Sequence, residues 1–225
     1  MPTRNHLLSA VPRAEWVGLA PQLTVVPLVF GDILYEPGER IRYVYFPVDA
    51  LVSLLMIVDR HLALEVGMVG REGMVGVARS MGVATSPLRA LVQGAGTAMR
   101  MPAAAFNKSL GQSTSLQNAV SLYTHALLMQ VALTAACNRF HDVQARLARW
   151  LLMTRDRLNK DHFRLTHEFL SHMLGVRRVG VTTAANALRR RDLIEYKRGH
   201  IAILDQPGLE AAACSCYRKL NASAR

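Results

Sequence analysis

Between residues 166 and 200 the sequence gathers side chains suited to gripping and reading a polyanion. Arg177, Arg178, Thr182, Thr183 and Asn186 fall in one short run, and helical spacing sets them on the outer, leading surface of a helix. Guanidinium, hydroxyl and amide groups placed there can hydrogen-bond base edges in a major groove. Further on, Lys197, Arg198 and His200 cluster around a turn, where cationic groups can meet phosphate. Thr166 and His167 open the preceding helix and complete the candidate DNA-contacting set. The chemistry on offer is hydrogen bonding and ion pairing, not bond making. The plainer alternative is a helical hairpin whose basic face is merely solvated.

The elements that would position these groups are legible. Thr166 can cap a helix with Glu168 in its first turn, where an N-terminus favours an oxygen acceptor and negative charge. Phe169, Leu170, Met173 and Leu174 form one apolar face at helical spacing. Gly175 permits a sharp turn. Val176, Val181, Ala184, Ala185 and Leu188 can then pack a second helix on the first. From Ile194 to Leu204 the pattern alternates in period two around Arg198-Gly199, which predicts a hairpin with Ile194, Tyr196, Ile201 and Ile203 inward. Helix, tight turn, helix and basic wing therefore follow in order.

Charge follows the same division. The 225-residue chain has a formal net charge of +11, of which residues 1–137 hold +2 and residues 138–225 hold +9. A basic excess beside the candidate reader suits phosphate contacts and counterion release. No basic amphipathic anchor points to a membrane surface. The segment Ala119–Cys137 has the look of a membrane span, but Ser121, Thr124, His125, Gln130 and Thr134 favour a buried or interfacial helix. The N-terminus shows no signal-peptide core, and three cysteines, Cys137, Cys214 and Cys216, give no disulfide framework. The expectation is a cytoplasmic protein.

The apolar content of 51% supports sizeable cores. A helical start around Leu7–Leu19 precedes short apolar runs broken by turns: 25–30, 33–35, 43–46, 51–58 (ending at Asp59-Arg60), 62–69, 88–92 and 97–101. That spacing predicts a β-sandwich or jelly roll. Pro102 suits the first position of a helix that follows. A long helix is expected over about 113–138. Leu116, Val120, Tyr123, Leu127, Thr134 and Cys137 lie near one stripe, and Leu122, Met129, Ala132, Leu133 and Ala136 near another. A helix apolar on two sides is buried on two sides. One side can pack on the β domain and the other on a second copy; burial within one subunit is the alternative. The first stripe supplies the candidate dimer residues. A further helix, Val143–Leu158, should turn Leu147, Trp150, Leu151 and Leu158 inward and Arg146, Arg149, Arg155 and Arg157 outward.

This order of parts resembles the Crp–Fnr family over nearly the whole chain. The resemblance is carried by 36–39 (Glu-Pro-Gly-Glu), 43–46, 69–76 (Val-Gly-Arg-Glu-Gly-Met-Val-Gly), 138–142, 146–152 and 165–188. It implies an α+β chain: a jelly-roll or β-roll sensor domain over 1–112, a long dimerisation helix and hinge over 113–140 with Asp142 beside it, and a winged helix-turn-helix over 141–225. It further implies a homodimeric bacterial transcription regulator with double-stranded DNA and RNA polymerase as partners. The family's base-reading positions fall on Arg178, Val179 and Thr183. The Arg suits bidentate contact to guanine. Val179 and Thr183 replace the Glu and Arg of a well-known member, so the operator should differ.

The family's effector pocket maps onto Gly70, Glu72, Gly73, Gly76, Val77, Arg89, Val131 and Ala132. Members that bind cyclic AMP carry Gly-Glu where this chain has Gly76-Val77. Arg89 lacks the following Ser, and Val131 and Ala132 replace hydroxyls that meet adenine. A ribose hydroxyl left unpaired opposite Val77 would cost about 1–3 kcal/mol, so tight cyclic AMP binding is not expected. Gly70, Gly73 and Gly76 can either present amides to an anion or serve turns of the roll. Cys214-Ser-Cys216 has no evident second pair, Cys137 reads as a packed core thiol, and His125 and His141 read as structural. No metal or haem is therefore expected.

Two rivals remain. An enzyme would need convergent groups, whereas Glu65, Glu72 and His61 are scattered and no GxSxG, HExxH or P-loop pattern occurs. The other rival is an interaction module whose β-roll contacts another regulator or binds a ligand without controlling DNA binding.

Overall fold

The computed structural model describes residues 5–59 and 62–223. Arg60, named above at a turn, and the lone His61 lie outside the described residues, as do positions 1–4 of the N-terminus. The fold is α+β, in two compact units. One is drawn from Met1–Met56 and Gly67–Leu128, the other from Ile57–Val66 and Met129–Arg225.

The first unit opens with α1 (His6–Ser9) and α2 (Arg13–Leu19), separated at Pro12 rather than continuous. Asn5 caps α1 through Leu8 N, and its buried amide donates to the carbonyls of Pro47 and Gly73, each at 2.9 Å. Seven strands follow: β1 (Thr24–Leu28), β2 (Ile33–Tyr35), β3 (Tyr43–Pro47), β4 (Leu51–Asp59), β5 (Leu62–Val69), β6 (Arg89–Gly94) and β7 (Gly96–Pro102), of which the end of β4 and most of β5 fall in the second unit. They form sheets in the orders β1-β7-β3 and β2-β6-β4-β5. Val44, Phe46 and Met101 share one buried face of the first sheet, and Tyr35, Val52, Ala90 and Val92 share one of the other. The Tyr35 hydroxyl donates to the Tyr43 carbonyl and joins the sheets.

Helix α3 (Ala103–Gln112) sets Phe106 on Phe46, with ring centroids 6.3 Å apart. Pro102 is its N-cap, one position earlier than expected, because its ψ of 136° is extended. The long helix α4 (Thr114–Phe140) follows. Among the described residues it is the helix long and apolar enough to cross a membrane, with a mean hydropathy of 1.4 over its most apolar window.

The two stripes of α4 are used differently from the expected assignment. Leu116, Val120 and Tyr123 were the candidate dimer residues, but they are buried within the chain. Tyr123 donates to the Met74 carbonyl at 2.9 Å, and a Cβ on Gly73 would stand 1.9 Å from its ring. Thr134 is also buried, and Leu127 is half-buried. In the other stripe Leu122 (73% exposed), Met129, Ala132 and Ala136 are exposed and Leu133 is half-buried, and Leu128 and Phe140 (76%) are exposed beside it. Period alone cannot say which of two apolar faces meets the β-roll.

The second unit is built on α5 (Val143–Leu158), whose N-cap Asp142 accepts from Ala145 N at 2.8 Å. Then come β8 (His162–Arg164), α6 (His167–Leu174), α7 (Arg178–Arg190), β9 (Ile194–Lys197), β10 (His200–Ile203), α8 (Gln206–Ala212) and α9 (Cys216–Ser223). Leu147, Leu151, Leu170, Val181, Leu188, Ile194, Ile201 and Leu209 are buried together as its core. Each contributes about 1.5–3 kcal/mol by burial. Trp150 is buried too, and its Nε1 donates to Glu65 Oε1 at 2.8 Å.

Arg146 and Arg149, expected to face outward, are buried, while Arg155 and Arg157 are half-buried. Arg146 Nη2 donates to the Leu174 carbonyl at the end of α6. That is where orphan carbonyls and the helix dipole favour a cation.

Candidate nucleic-acid interface

The helix-turn-helix forms for the reasons its residues give. Thr166 Oγ1 accepts from Phe169 N at 3.1 Å and caps α6. Gly175 ends α6 in the left-handed region, at φ 61°, and its N–H bonds back to His172 O. Arg177 is the N-cap of α7. Val181, Ala184, Ala185 and Leu188 are the buried face of α7, as expected. That leaves Arg177, Arg178, Val179 and Thr183 exposed on its leading surface, with Thr182 and Asn186 half-buried beside them. Val179 is 68% exposed. Thr183 Oγ1 donates to Val179 O at 3.0 Å, which fixes its rotamer.

The wing is a three-stranded sheet in the order β8-β10-β9. Its tip has Arg198 at φ 51° and Gly199 at φ 79°, a primed turn that suits the strand twist. Lys197, Arg198 and His200 are exposed there. The third strand, β8, was not read from the sequence. Its three residues, with only Phe163 inward, are too short to show a period.

His167 and Thr182 have an internal job. Thr182 Oγ1 lies 2.9 Å from His167 Nδ1, and the imidazole stacks on Tyr196 at 4.2 Å and 17°. Nε2 is buried without a partner. The ring therefore fastens α6, α7 and the wing to one another, a role that positions the contact surface. Burial, helped by the nearby Arg178 charge, lowers the His167 pKa below its ordinary value.

The residues named for an effector are differently occupied. Gly70 N donates to Glu72 Oε1 at 3.1 Å, and Gly73 N to Gly70 O at 3.2 Å, so those two amides are spent within the loop. Gly73 makes room for the Tyr123 ring, and Gly76, at φ 93°, caps the 3-10 turn Val77–Met81. Arg89 pairs with Glu36 at 2.9 Å. Val131 and Ala132 lie on α4, half-buried and exposed respectively. Of the two uses open to the glycines, the close packing and turns of the roll account for them. A separate cleft of about 660 Å³ is lined by Arg79, Asn107, Gln117, Ser121 and Thr124 among others, and none of the named effector residues lines it.

One constellation was missed. Cys137, His141, Cys214 and Cys216 come together, with their ligand atoms all within 4.8 Å of one another. The second half that Cys214-Ser-Cys216 lacked in sequence is supplied by the last turns of α4. Cys137 and Cys214 share a hydrogen bond at 3.4 Å. That bond favours a thiolate on Cys214 and, with burial, holds the proton on Cys137.

Comparison with known proteins agrees with this geometry. Residues 145–212 match the family described as the Crp-like helix-turn-helix domain. No curated protein matches the sequence. Among solved structures, a Crp/Fnr-family regulator from Eubacterium rectale superposes with a TM-score of 0.73 at 16% identity, over 93% of this chain and 98% of that one. FixK2 from Bradyrhizobium japonicum gives 0.72 at 15% identity, over 86% and 98%. The c-di-GMP responsive global regulator CLP of Xanthomonas campestris gives 0.69 at 15%, over 86% and 100%. The chain thus has the fold of the Crp–Fnr transcription regulators and carries, over residues 145–212, their Crp-like helix-turn-helix domain.

Proposed function

We propose that the chain is a homodimeric, sequence-specific transcription regulator that sets two copies of α7 into successive major-groove half-sites. The observation that carries this reading is the leading face of α7: Arg178, Val179 and Thr183 are exposed while the opposite face holds the domain together. Arg178 reads guanine, Val179 offers apolar contact and Thr183 a hydroxyl. Arg177, Thr166, the wing cations Lys197 and Arg198, and His200 beside them hold phosphates. The exposed stripe of α4, from Leu122 to Phe140, supports pairing with a second copy. In this reading residues 1–112 sense, 113–140 pair and hinge, and 141–225 bind DNA, with RNA polymerase as the further partner. The protein acts by binding, without catalysis. The description of the Xanthomonas relative as c-di-GMP responsive makes that nucleotide a ligand to test.

The test is selection from a random duplex pool with no ligand, with cyclic AMP and with cyclic di-GMP. The expected product is an inverted repeat with half-sites about 34 Å apart. Enrichment only with one nucleotide names the effector. No enrichment under any condition overturns the reading and leaves the β-roll as an interaction module.

A further inference from the structure

We propose that Cys137, His141, Cys214 and Cys216 form a site for one zinc-class divalent cation, which fastens the end of α4 to the C-terminal segment of the winged domain.

Geometry comes first. Cys137 lies on the last turn of α4 and His141 directly follows the helix, its N–H still bonded to the Cys137 carbonyl at 3.1 Å, which holds the two side chains on one side. Cys214 lies between α8 and α9, and Cys216, beyond Ser215, opens α9. The two pairs meet with Cys137 Sγ 3.4 Å from Cys214 Sγ and Cys216 Sγ 3.7 Å from His141 Nδ1. A tetrahedral ion with bonds of about 2.3 Å to sulfur and 2.0–2.1 Å to nitrogen has ligand–ligand edges of roughly 3.5–3.8 Å. The four donors already lie near that spacing, and small rotamer changes would complete it. An iron–sulfur cluster would spread its ligands wider, since they bind different irons.

The donor set selects the metal. Three thiolates and an imidazole are soft or borderline ligands, which suit zinc and exclude magnesium and calcium. Four protein ligands leave no open position, as in structural sites. All three cysteines are buried, and Leu133 and Ala145 pack against them.

Charge supplies an independent argument. Arg149 is 6% exposed, and its Nε and Nη1 have no hydrogen-bond partner, while Nη2 reaches Thr134 Oγ1 at 3.4 Å. Its cationic charge acts on all three thiols. Burying guanidinium N–H groups without acceptors is costly. Three thiolates around a divalent ion carry one net negative charge, which Arg149 balances. A neighbouring guanidinium is the kind of outer-shell charge that tunes a metal site.

The site would close the winged domain on itself. His141 directly precedes Asp142, the cap of α5, whereas Cys214 follows α8, so the loop between the ligands contains the whole helix-turn-helix and wing. An ion there couples the start of the domain to its end.

The test is titration of the full chain, reduced and metal-free, with Co²⁺ alone. One cobalt per chain is expected, with thiolate-to-cobalt charge-transfer absorption and visible bands of tetrahedral intensity, bleached by equimolar Zn²⁺. Cys214→Ser and Cys216→Ser should each weaken binding by at least about 10–100-fold, the loss that outer-shell partners alone produce. Far-UV circular dichroism on each variant shows that it is folded. A folded, reduced wild-type chain without those bands overturns the proposal, as do bands unchanged in both single variants.

Discussion

Arg178 and Arg149 belong to the same unit and meet opposite fates. Arg178 stands exposed on the leading turn of α7, among side chains whose own hydrogen bonds run back to their helix. Arg149 is buried in α5, with two guanidinium nitrogens unpaired beside three thiols. Water solvates the first charge until an external acceptor replaces it. The second must find its counter-charge inside the protein. An open surface of polar groups awaits a partner of any size, whereas a closed one fits only an ion.

The largest effect should come from breaking what both regions share. Trp150→Ala removes a buried indole and its bond to Glu65, and should cost about 3–5 kcal/mol in urea denaturation. DNA binding and cobalt binding should fall together. Loss of one with the other intact would show that the two regions rest on separate cores.

The next prediction addresses the exposed arginine alone. Arg178→Ala should cost about 1–3 kcal/mol on the selected site and relax preference at one position, with stability unchanged. Equal weakening on every duplex would make Arg178 a phosphate contact and shift the base-reading register.

Arg149 should behave in the reverse sense. Without metal, Arg149→Met should be neutral or stabilising, because an apolar side chain replaces a buried cation with two unpaired guanidinium nitrogens. With metal, the same change should reduce affinity about 10–100-fold. A variant that is destabilised equally with and without metal would mean that the guanidinium serves packing and not the thiolates.

The contrast also explains what could be read from sequence. The helix-turn-helix and wing are local: Thr166, Gly175 and Arg198-Gly199 fix their turns through neighbouring residues, and the alternation at 194–203 is the strand pattern itself. The strands of the roll and the bounds of α5 were legible on the same grounds. What was hidden depends on distant residues. The period of α4 shows two apolar faces, and only the Tyr123 ring against Gly73 decides which one the roll covers. The glycines at 70 and 73 looked available until Glu72 and the Gly70 carbonyl were seen to occupy their amides. Arg146 looked solvated because its acceptor, the Leu174 carbonyl, lies on another helix. The cysteine–histidine cluster joins two short spacings across the whole winged domain, farther than any local metal pattern reaches.

His167 lies between the two regimes and gives the smallest expected effect. It was named as a DNA contact, yet its Nδ1 meets Thr182, its ring stacks on Tyr196 and its Nε2 is buried. Burial first, and the Arg178 charge second, depress its pKa from the ordinary 6.5. The unfolded chain therefore binds the proton at a pH where the folded chain does not. Stability from this residue is complete above about pH 6.5 and is lost as pH falls toward the lower folded value. The urea midpoint should drop between about pH 7.5 and 5.5, and His167→Gln should flatten that dependence. DNA affinity at neutral pH should also fall in this variant, across all sequences alike, because the ring aligns α7 with the wing and touches no particular base. An unchanged pH slope would assign the dependence to another group, and a loss confined to one base pair would make His167 a reader after all.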